Sequence, residues 1–324
     1  MRVGALTVRS AALAVIASSV LAAPAALGGQ ETVVPGVSRF GTNEWIEYIP
    51  GNLPVIFSAP HGGELTPDEL PERTRERCGS AGFATAKDDN TEELARAIVE
   101  AFYEKTGKYP HVIINRLHRN RMEANREIEV GACGDPEAER AWEEFHGFIE
   151  AAKASVLAEH GKGWYTDLHG HAHPVARLEL GYNMNAERLR TADAELDAAP
   201  DFETSTSMRV FAEESVLSFS ALLRGPTALG TLFQRAGYRA VPSQQDPAPA
   251  EGEPFFSGGY NTRAHGCVDG GLICGVQIEH PKPGVRNTEE ERANYARALA
   301  DVYTEFLAVN FGILLNVPGP SSGR

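Results

Sequence analysis

The chain has 324 residues, of which 42% are hydrophobic, 23% charged and 8% aromatic. This composition excludes a disordered, collagen-like or coiled-coil protein, and the length suits one large α/β domain or two small ones. Acidic residues outnumber basic ones 44 to 30, for a formal charge of −14, which argues against nucleic acid or an anionic membrane surface as partner.

In chain order, Arg2 and Arg9 flank a start that leads into the small, apolar run at residues 11–23, and Ala23-Pro24-Ala25 offers an A-x-A cleavage site. The pattern predicts a secretory signal over residues 1–25 and a soluble, exported mature protein, secreted or periplasmic. The run is too short to span a bilayer comfortably, and no other stretch reads as transmembrane. Export places Cys78, Cys133, Cys267 and Cys274 in an oxidising compartment, where an even set forms disulfides. The expected pairs are Cys267–Cys274, across a short loop, and by elimination Cys78–Cys133. Four thiolate metal ligands are disfavoured because no C-x-x-C occurs.

Residues 26–45 read as an N-terminal arm. The apolar run 53–58 reads as a buried strand ending in the turn Ala59-Pro60-His61-Gly62-Gly63-Glu64, and residues 65–89 as a polar, irregular stretch. Asn90 or Thr91 can cap a helix to about Glu104, with Leu94, Ile98, Ala101 and Phe102 on one face. A strand is expected over 111–115, a long amphipathic helix over 136–159, and a strand over 163–168 that runs into His169. Residues 208–224 and 226–236 read as helices broken at Gly225-Pro226, and 242–259 as a loop. The last strand covers 271–279, and Thr288 with Glu291 forms a capping box that opens a final helix to about Val309. The Pro/Gly/Ser-rich tail 318–324 is expected to be disordered, which leaves 26–317 as a single domain. Strands alternating with helices predict a layered α/β domain with a largely parallel sheet. In such sheets ligands bind beyond the carboxyl ends of the strands.

The chemistry-bearing residues sit at those ends. His61 and Glu64 form H-x-x-E directly after a strand, a spacing that can bring an imidazole and a carboxylate to one cation. Asp167-Leu168-His169-Gly170-His171-Ala172-His173 follows another strand, and His169 is the expected third ligand, with Asp167 orienting an imidazole. The presence of Gly170 and Pro174 predicts that this strand has already ended. Two His, one Glu and an open position make a catalytic rather than a structural zinc site, with one ion per chain. Glu279 ends an apolar strand, where a carboxylate is costly unless used or paired. It is the expected general base. Residues 115–126 (NRLHRNRMEANR) concentrate Arg116, Arg119, Arg121 and Arg126 in an acidic protein. One arginine could clamp a substrate carboxylate and another face a developing oxyanion, the rest being structural. No aromatic platform for nucleic acid accompanies them.

Together these residues resemble the N-formylglutamate amidohydrolase family. The resemblance runs from Pro60-His61-Gly62-Gly63-Glu64 to Glu279 and includes Glu123-Ala124-Asn125-Arg126, with Glu where the family has Asp. Its most specific stretch is Phe256-Ser257-Gly258-Gly259-Tyr260-Asn261-Thr262-Arg263-Ala264-His265-Gly266, followed by Gln277-Ile278-Glu279. The wider kin are aspartoacylases, succinylglutamate desuccinylases and zinc carboxypeptidases. The resemblance implies zinc on His61, Glu64 and His169, with Glu279 as base and a substrate carboxylate held by Asn125 and Arg126. It implies a scissile carbonyl polarised by Arg119 or, second, Arg116, and a substrate side formed by Tyr260, Thr262 and His265. The implied fold is a zinc-carboxypeptidase-like, three-layer α/β/α sandwich with a mixed, largely parallel sheet. The expected activity is zinc-dependent hydrolysis of an amide next to a carboxylate, in a small acidic N-acyl amino acid or at a peptide C-terminus. The alternatives are a metallocarboxypeptidase acting on peptides or cell-wall stems, and a non-catalytic binding protein on the same fold. A serine hydrolase is disfavoured because no G-x-S-x-G occurs.

Overall fold

Side chains alternate between the two faces of a strand, and three apolar runs use that period to build two separate cores. Val55, Phe57 and Ala59 join one apolar cluster while Ile56 joins the other; Val112 and Ile114 part from Ile113, and Trp164 and Leu168 from Tyr165, in the same way. Residues buried on both faces call for helices on both sides, and the computed structural model has this three-layer arrangement. It describes Met1, residues 33–79 and 83–315; apart from Met1, the expected signal over 1–25 and the expected tail 318–324 lie outside the described residues. Val33–Arg324 forms one compact unit.

The strands are β1 (Arg39–Phe40), β2 (Ile46–Ile49), β3 (Val55–Ala59), β4 (His111–Asn115), β5 (Gly163–His171), β6 (Leu178–Gly181), β7 (Ala240–Val241) and β8 (Ile273–Pro281). They form one mixed sheet in the order β1-β2-β4-β3-β5-β8-β6-β7. β4, β3, β5 and β8 run parallel, whereas β2 and β6 are antiparallel to their neighbours β4 and β8. Helix α1 (Thr91–Thr106) and the C-terminal helix α4 (Glu289–Phe311) pack into the larger core, with Leu94, Ile98, Phe102, Tyr303 and Phe306. Helix α2 (Pro136–His160) covers the opposite face through Phe145, Ile149, Ala152 and Val156. Helix α3 (Tyr260–His265) is a short element leading into β8.

Local chemistry explains the boundaries. Asp135 accepts from the N–H groups of Glu137 and Ala138, and Pro136 starts α2 where no intrahelical donor is needed. Thr288 and Glu291 form the expected reciprocal capping box. Gly107, Gly161 and Gly312 close the three long helices in the left-handed region. Two expectations change. β5 does not end before Gly170 but pairs with β8 as far as His171, opposite Pro281. The stretch 208–224 holds two short helices, Arg209–Glu213 and Phe219–Arg224, not one. Disulfides join Cys78 to Cys133 and Cys267 to Cys274, the expected pairs. Among the described residues no helix is long and apolar enough to cross a membrane.

Candidate metal centre and its pocket

The carboxyl ends of β3, β5 and β8 meet at one edge of the sheet. β3 delivers His61 two residues beyond Ala59, β5 delivers Asp167 and His169, and β8 delivers Gln277 and Glu279, with Glu279 in register with His169. Asp88 arrives from the irregular stretch before α1. Its N–H donates to the His61 carbonyl at 3.0 Å, and its own carbonyl accepts from the Thr91 hydroxyl at 2.9 Å. Ligand atoms of His61, Asp88 and His169 lie within 4.8 Å of one another, and all three residues are buried.

Hydrogen counting shows what this cluster can hold. His61 Nε2 donates to the Glu123 carboxylate, and His169 Nε2 donates to Asp167 Oδ2 at 2.7 Å. Those carboxylates accept only, so the second ring nitrogen of each neutral histidine presents a lone pair. Both Nδ1 atoms point at Asp88 Oδ2, from 3.3 Å for His61 and 3.2 Å for His169. Three electron-pair donors therefore converge on one point, an arrangement that a cation satisfies. A carboxylate behind each ligating imidazole is the usual way a metal site fixes tautomer and ring orientation. The anions are themselves held in place. Glu123 accepts from Arg119 Nε at 2.6 Å and from the Asn125 N–H at 2.8 Å; Asp167 accepts from the Ser58 hydroxyl at 2.5 Å. Burial would raise the pKa of Asp88 and of Glu123, but the facing histidines, and Arg119 for Glu123, hold both well below the ordinary value. Burial would lower the pKa of His169, yet the Asp167 carboxylate holds it well above the ordinary imidazole value, so a cation binding at Nδ1 takes the place of the proton shared there with Asp88.

Glu64 is not part of this cluster. Its carboxylate is 69% exposed and pairs with Lys87. The reason lies in the backbone. Leu65 N–H donates to Arg116 O at 2.9 Å and Leu65 O accepts from His118 N–H at 2.8 Å, which ties this stretch alongside 116–118 and leaves Glu64 facing water. The glycines before it serve that approach. A Cβ at Gly63 would stand 2.2 Å from the Arg116 carbonyl carbon, and one at Gly62 2.5 Å from Glu92 N.

A pocket of about 220 Å³ opens over the cluster, lined by His61, Asp88, Arg119, Asn125, Arg126, His169, Gln277, Glu279 and the wall Phe255–Gly259. Glu279 is 4% exposed. Its Oε1 accepts from Gln277 Nε2 at 2.9 Å, while its buried Oε2 has no partner among the described residues. Burial, reinforced by the charges of Asp88 and Glu179, pushes the Glu279 carboxyl up to about 8. Arg119 and Arg126 reach the pocket from the basic cluster; Arg116 does not. Its guanidinium donates to Glu44 O at 2.7 Å and lies over the Phe40 ring. Arg121 is structural, bonded to Leu70 O. Asn125 lies at the pocket wall, its Nδ2 3.2 Å from His169 Nε2 and its Oδ1 accepting from the Asn261 N–H at 2.8 Å. Tyr260, Thr262 and His265 do not line the pocket. Tyr260 lies beside Trp142 and His146, Thr262 is fully buried, and His265 bonds to His146 and Glu150. They sit in α3, which packs behind residues 124–126.

Two other features compete for attention. His171, His173 and Glu179 also cluster, but both ring nitrogens of His171 are engaged, Nε2 with Arg177 O at 2.8 Å and Nδ1 with His173 N–H at 3.0 Å. Glu179 accepts from His173 Nδ1 and from the Phe256 N–H, each at 2.9 Å, so it anchors the pocket wall. A larger cleft of about 740 Å³ is lined by Leu189–Asp193 and Ser243–Pro249 among others. Its Arg224 and Asp193 satisfy each other at 2.8 Å and no catalytic group converges there.

No protein-family model and no curated protein matches the chain. Among solved structures it is similar to an N-formylglutamate amidohydrolase from Ralstonia eutropha JMP134, with 15% identity, a TM-score of 0.46, and coverage of 83% of this chain and 97% of that one. A gene product from Agrobacterium tumefaciens is similar at 18% identity and a TM-score of 0.43, covering 80% of this chain and 90% of that one. An N-acetylmuramyl-L-alanine amidase from Mycobacterium smegmatis is similar at 14% identity and a TM-score of 0.34, covering 78% and 96%.

Proposed function

We infer that the chain is an exported, zinc-dependent amidohydrolase that cuts an amide bond next to a carboxylate in a small N-acyl amino acid. The observation that carries this reading is the convergence of His61 Nδ1, Asp88 Oδ2 and His169 Nδ1 beneath a pocket that also holds Glu279 and two arginines. Nitrogen and oxygen donors of this kind suit zinc. When bound there, zinc supplies Lewis acidity toward a carbonyl oxygen and toward water. Two disulfides accord with an oxidising compartment.

The chain's own residues do the rest. Glu279, with one oxygen free and a pKa close to neutral, accepts a proton from the attacking water and returns it to the leaving amine. Arg126 pairs with the substrate carboxylate at the pocket wall, its guanidinium steadied by Nη1 on Asn125 O at 2.7 Å. Arg119, fixed through Nε to Glu123, presents a standing positive charge toward the carbonyl oxygen. A volume of about 220 Å³ suits a small N-acyl amino acid better than a long peptide.

A hydrolysis screen of N-acyl amino acids against short peptides tests the reading. We expect turnover of the small acidic substrates, loss on chelation, and recovery with zinc. Turnover of peptides alone would move the assignment to a carboxypeptidase, and activity indifferent to chelator would end the metal reading. Arg126→Ala should raise KM for carboxylate substrates by about 10- to 100-fold, the worth of a charge-assisted pair. The same substitution should leave the amidated analogues nearly unchanged. Equal losses for both would remove Arg126 from the clamp.

A further inference from the structure

Behind the pocket, two buried histidines bridge α2 and α3. His146 Nε2 stands 3.1 Å from Ala124 O, His146 Nδ1 stands 2.8 Å from His265 Nε2, and His265 Nδ1 stands 3.0 Å from Glu150 Oε1. His146 and His265 are 8% and 4% exposed, while the Glu150 side chain is 57% exposed. The ends of this chain are both acceptors. A carbonyl oxygen never donates, and the ionised Glu150 carboxylate, which accepts from Lys153 Nζ at 2.8 Å, accepts only. Three contacts between two acceptors need three hydrogens, and two neutral imidazoles carry only two. With His146 donating to Ala124 and His265 donating to His146, a neutral His265 turns a lone pair toward the Glu150 carboxylate. The third contact closes only when the pair holds one more proton.

We propose that Glu150, His265 and His146 form a proton-operated latch: one added proton on His265 closes the hydrogen-bonded chain from Glu150 to Ala124 and tightens α2 and α3 on the Ala124–Arg126 segment. The segment is the one that carries the clamp. Trp142, one turn before His146, donates to Arg126 O at 2.9 Å, so α2 holds both Ala124 and Arg126 by their carbonyls. The α3 residue Asn261 donates its N–H to Asn125. His146, Glu150 and His265 are thus positioning residues. When the proton leaves, Glu150 is the member able to turn into water.

The groups that face His265 set the switch. From α2 come Glu150 and Lys153, whose ammonium shares Glu150 Oε1 at 2.8 Å; from β5 come Asp167 and the Tyr165 ring; Tyr260 lies nearby on α3 itself, beside His146. Burial pushes the His265 imidazole below its ordinary value, while Glu150 and Asp167 pull it back up and Lys153 opposes them. Burial also pushes His146 down, to about 3, so His146 stays neutral and the added proton resides on His265.

Imidazole nitrogen resonances of the whole protein, labelled with 15N-histidine and assigned with H146N and H265N, test the latch. On acidification from pH 8 to 4.5, His265 should become doubly protonated while His146 keeps one proton on Nε2. Glu150→Gln should move the His265 transition at least one pH unit lower, a tenfold change in proton affinity. Lys153→Ala should move it higher. A His265 that keeps a single proton throughout in the folded protein would overturn the latch, as would a transition indifferent to Glu150→Gln. This readout needs no substrate. A failed titration sinks the latch alone, and a failed hydrolysis screen sinks the functional reading alone.

Discussion

Glu279→Gln should abolish hydrolysis while leaving the metal bound and the fold intact. The expected loss in kcat is about 10²- to 10⁴-fold, the usual contribution of a positioned base. The substitution is nearly isosteric. Glutamine can still accept from Gln277 Nε2, so the β8 edge keeps its one side-chain bond there. What disappears is the Oε2 that has no partner among the described residues and can accept a proton in the pocket. A base must be ionised to act, so the wild-type rate should rise with pH as Glu279 loses its proton. That acid limb should be missing from whatever rate the variant keeps. Metal content close to wild type, with activity retained, would remove Glu279 from the base role. Loss of metal together with activity would instead make Glu279 part of the binding site.

The strands and long helices were legible because their signals are local. The apolar run in HVIIN, the amphipathic spacing of 136–159 and the Thr288/Glu291 box each depend on neighbours in sequence. β1, β2, β6 and β7 escaped notice because they are only two, four, four and two residues long and take their identity from the strands beside them. The same divide runs through the site. His61, His169 and Glu279 were found because each ends a recognisable strand. Asp88 was missed because it follows no strand. An acidic residue just before a helix is ordinarily read as a partner of the helix dipole, and only the long-range bond to His61 O brings it to the cluster. Glu64 misled for the converse reason. The spacing H-x-x-E permits convergence on one cation, but the pairing of Leu65 with 116–118 decides which way the glutamate turns, and that partner lies about fifty residues away in the chain. Tyr260, Thr262 and His265 were placed on the substrate side by motif alone. Burial and hydrogen bonding put them in the support instead.

The ligand assignment divides most sharply on a pair of substitutions. Asp88→Ala removes the oxygen on which both imidazole Nδ1 atoms converge and should weaken metal binding by more than about a hundredfold. Loss of a supporting partner one bond further out already costs about 10- to 100-fold. Activity should vanish with the metal. Glu64→Ala removes an exposed carboxylate whose partner is Lys87. It should leave metal content unchanged and activity within about twofold, since a surface pair of this kind contributes little. Asp88 also accepts the Gly170 N–H at 3.0 Å, so Asp88→Ala could lower stability. Asp88→Asn is the companion variant, because its amide oxygen can keep that bond while the full negative charge toward the ion is lost. Metal analysis of the three purified proteins, with circular dichroism to confirm folding, decides the matter. A folded Asp88→Ala protein with full metal content beside a depleted Glu64→Ala protein would return the site to the H-x-x-E pair. That outcome would require the 61–65 turn to refold around the ion, against its pairing with Arg116 and His118 and the close backbone approach at Gly62 and Gly63.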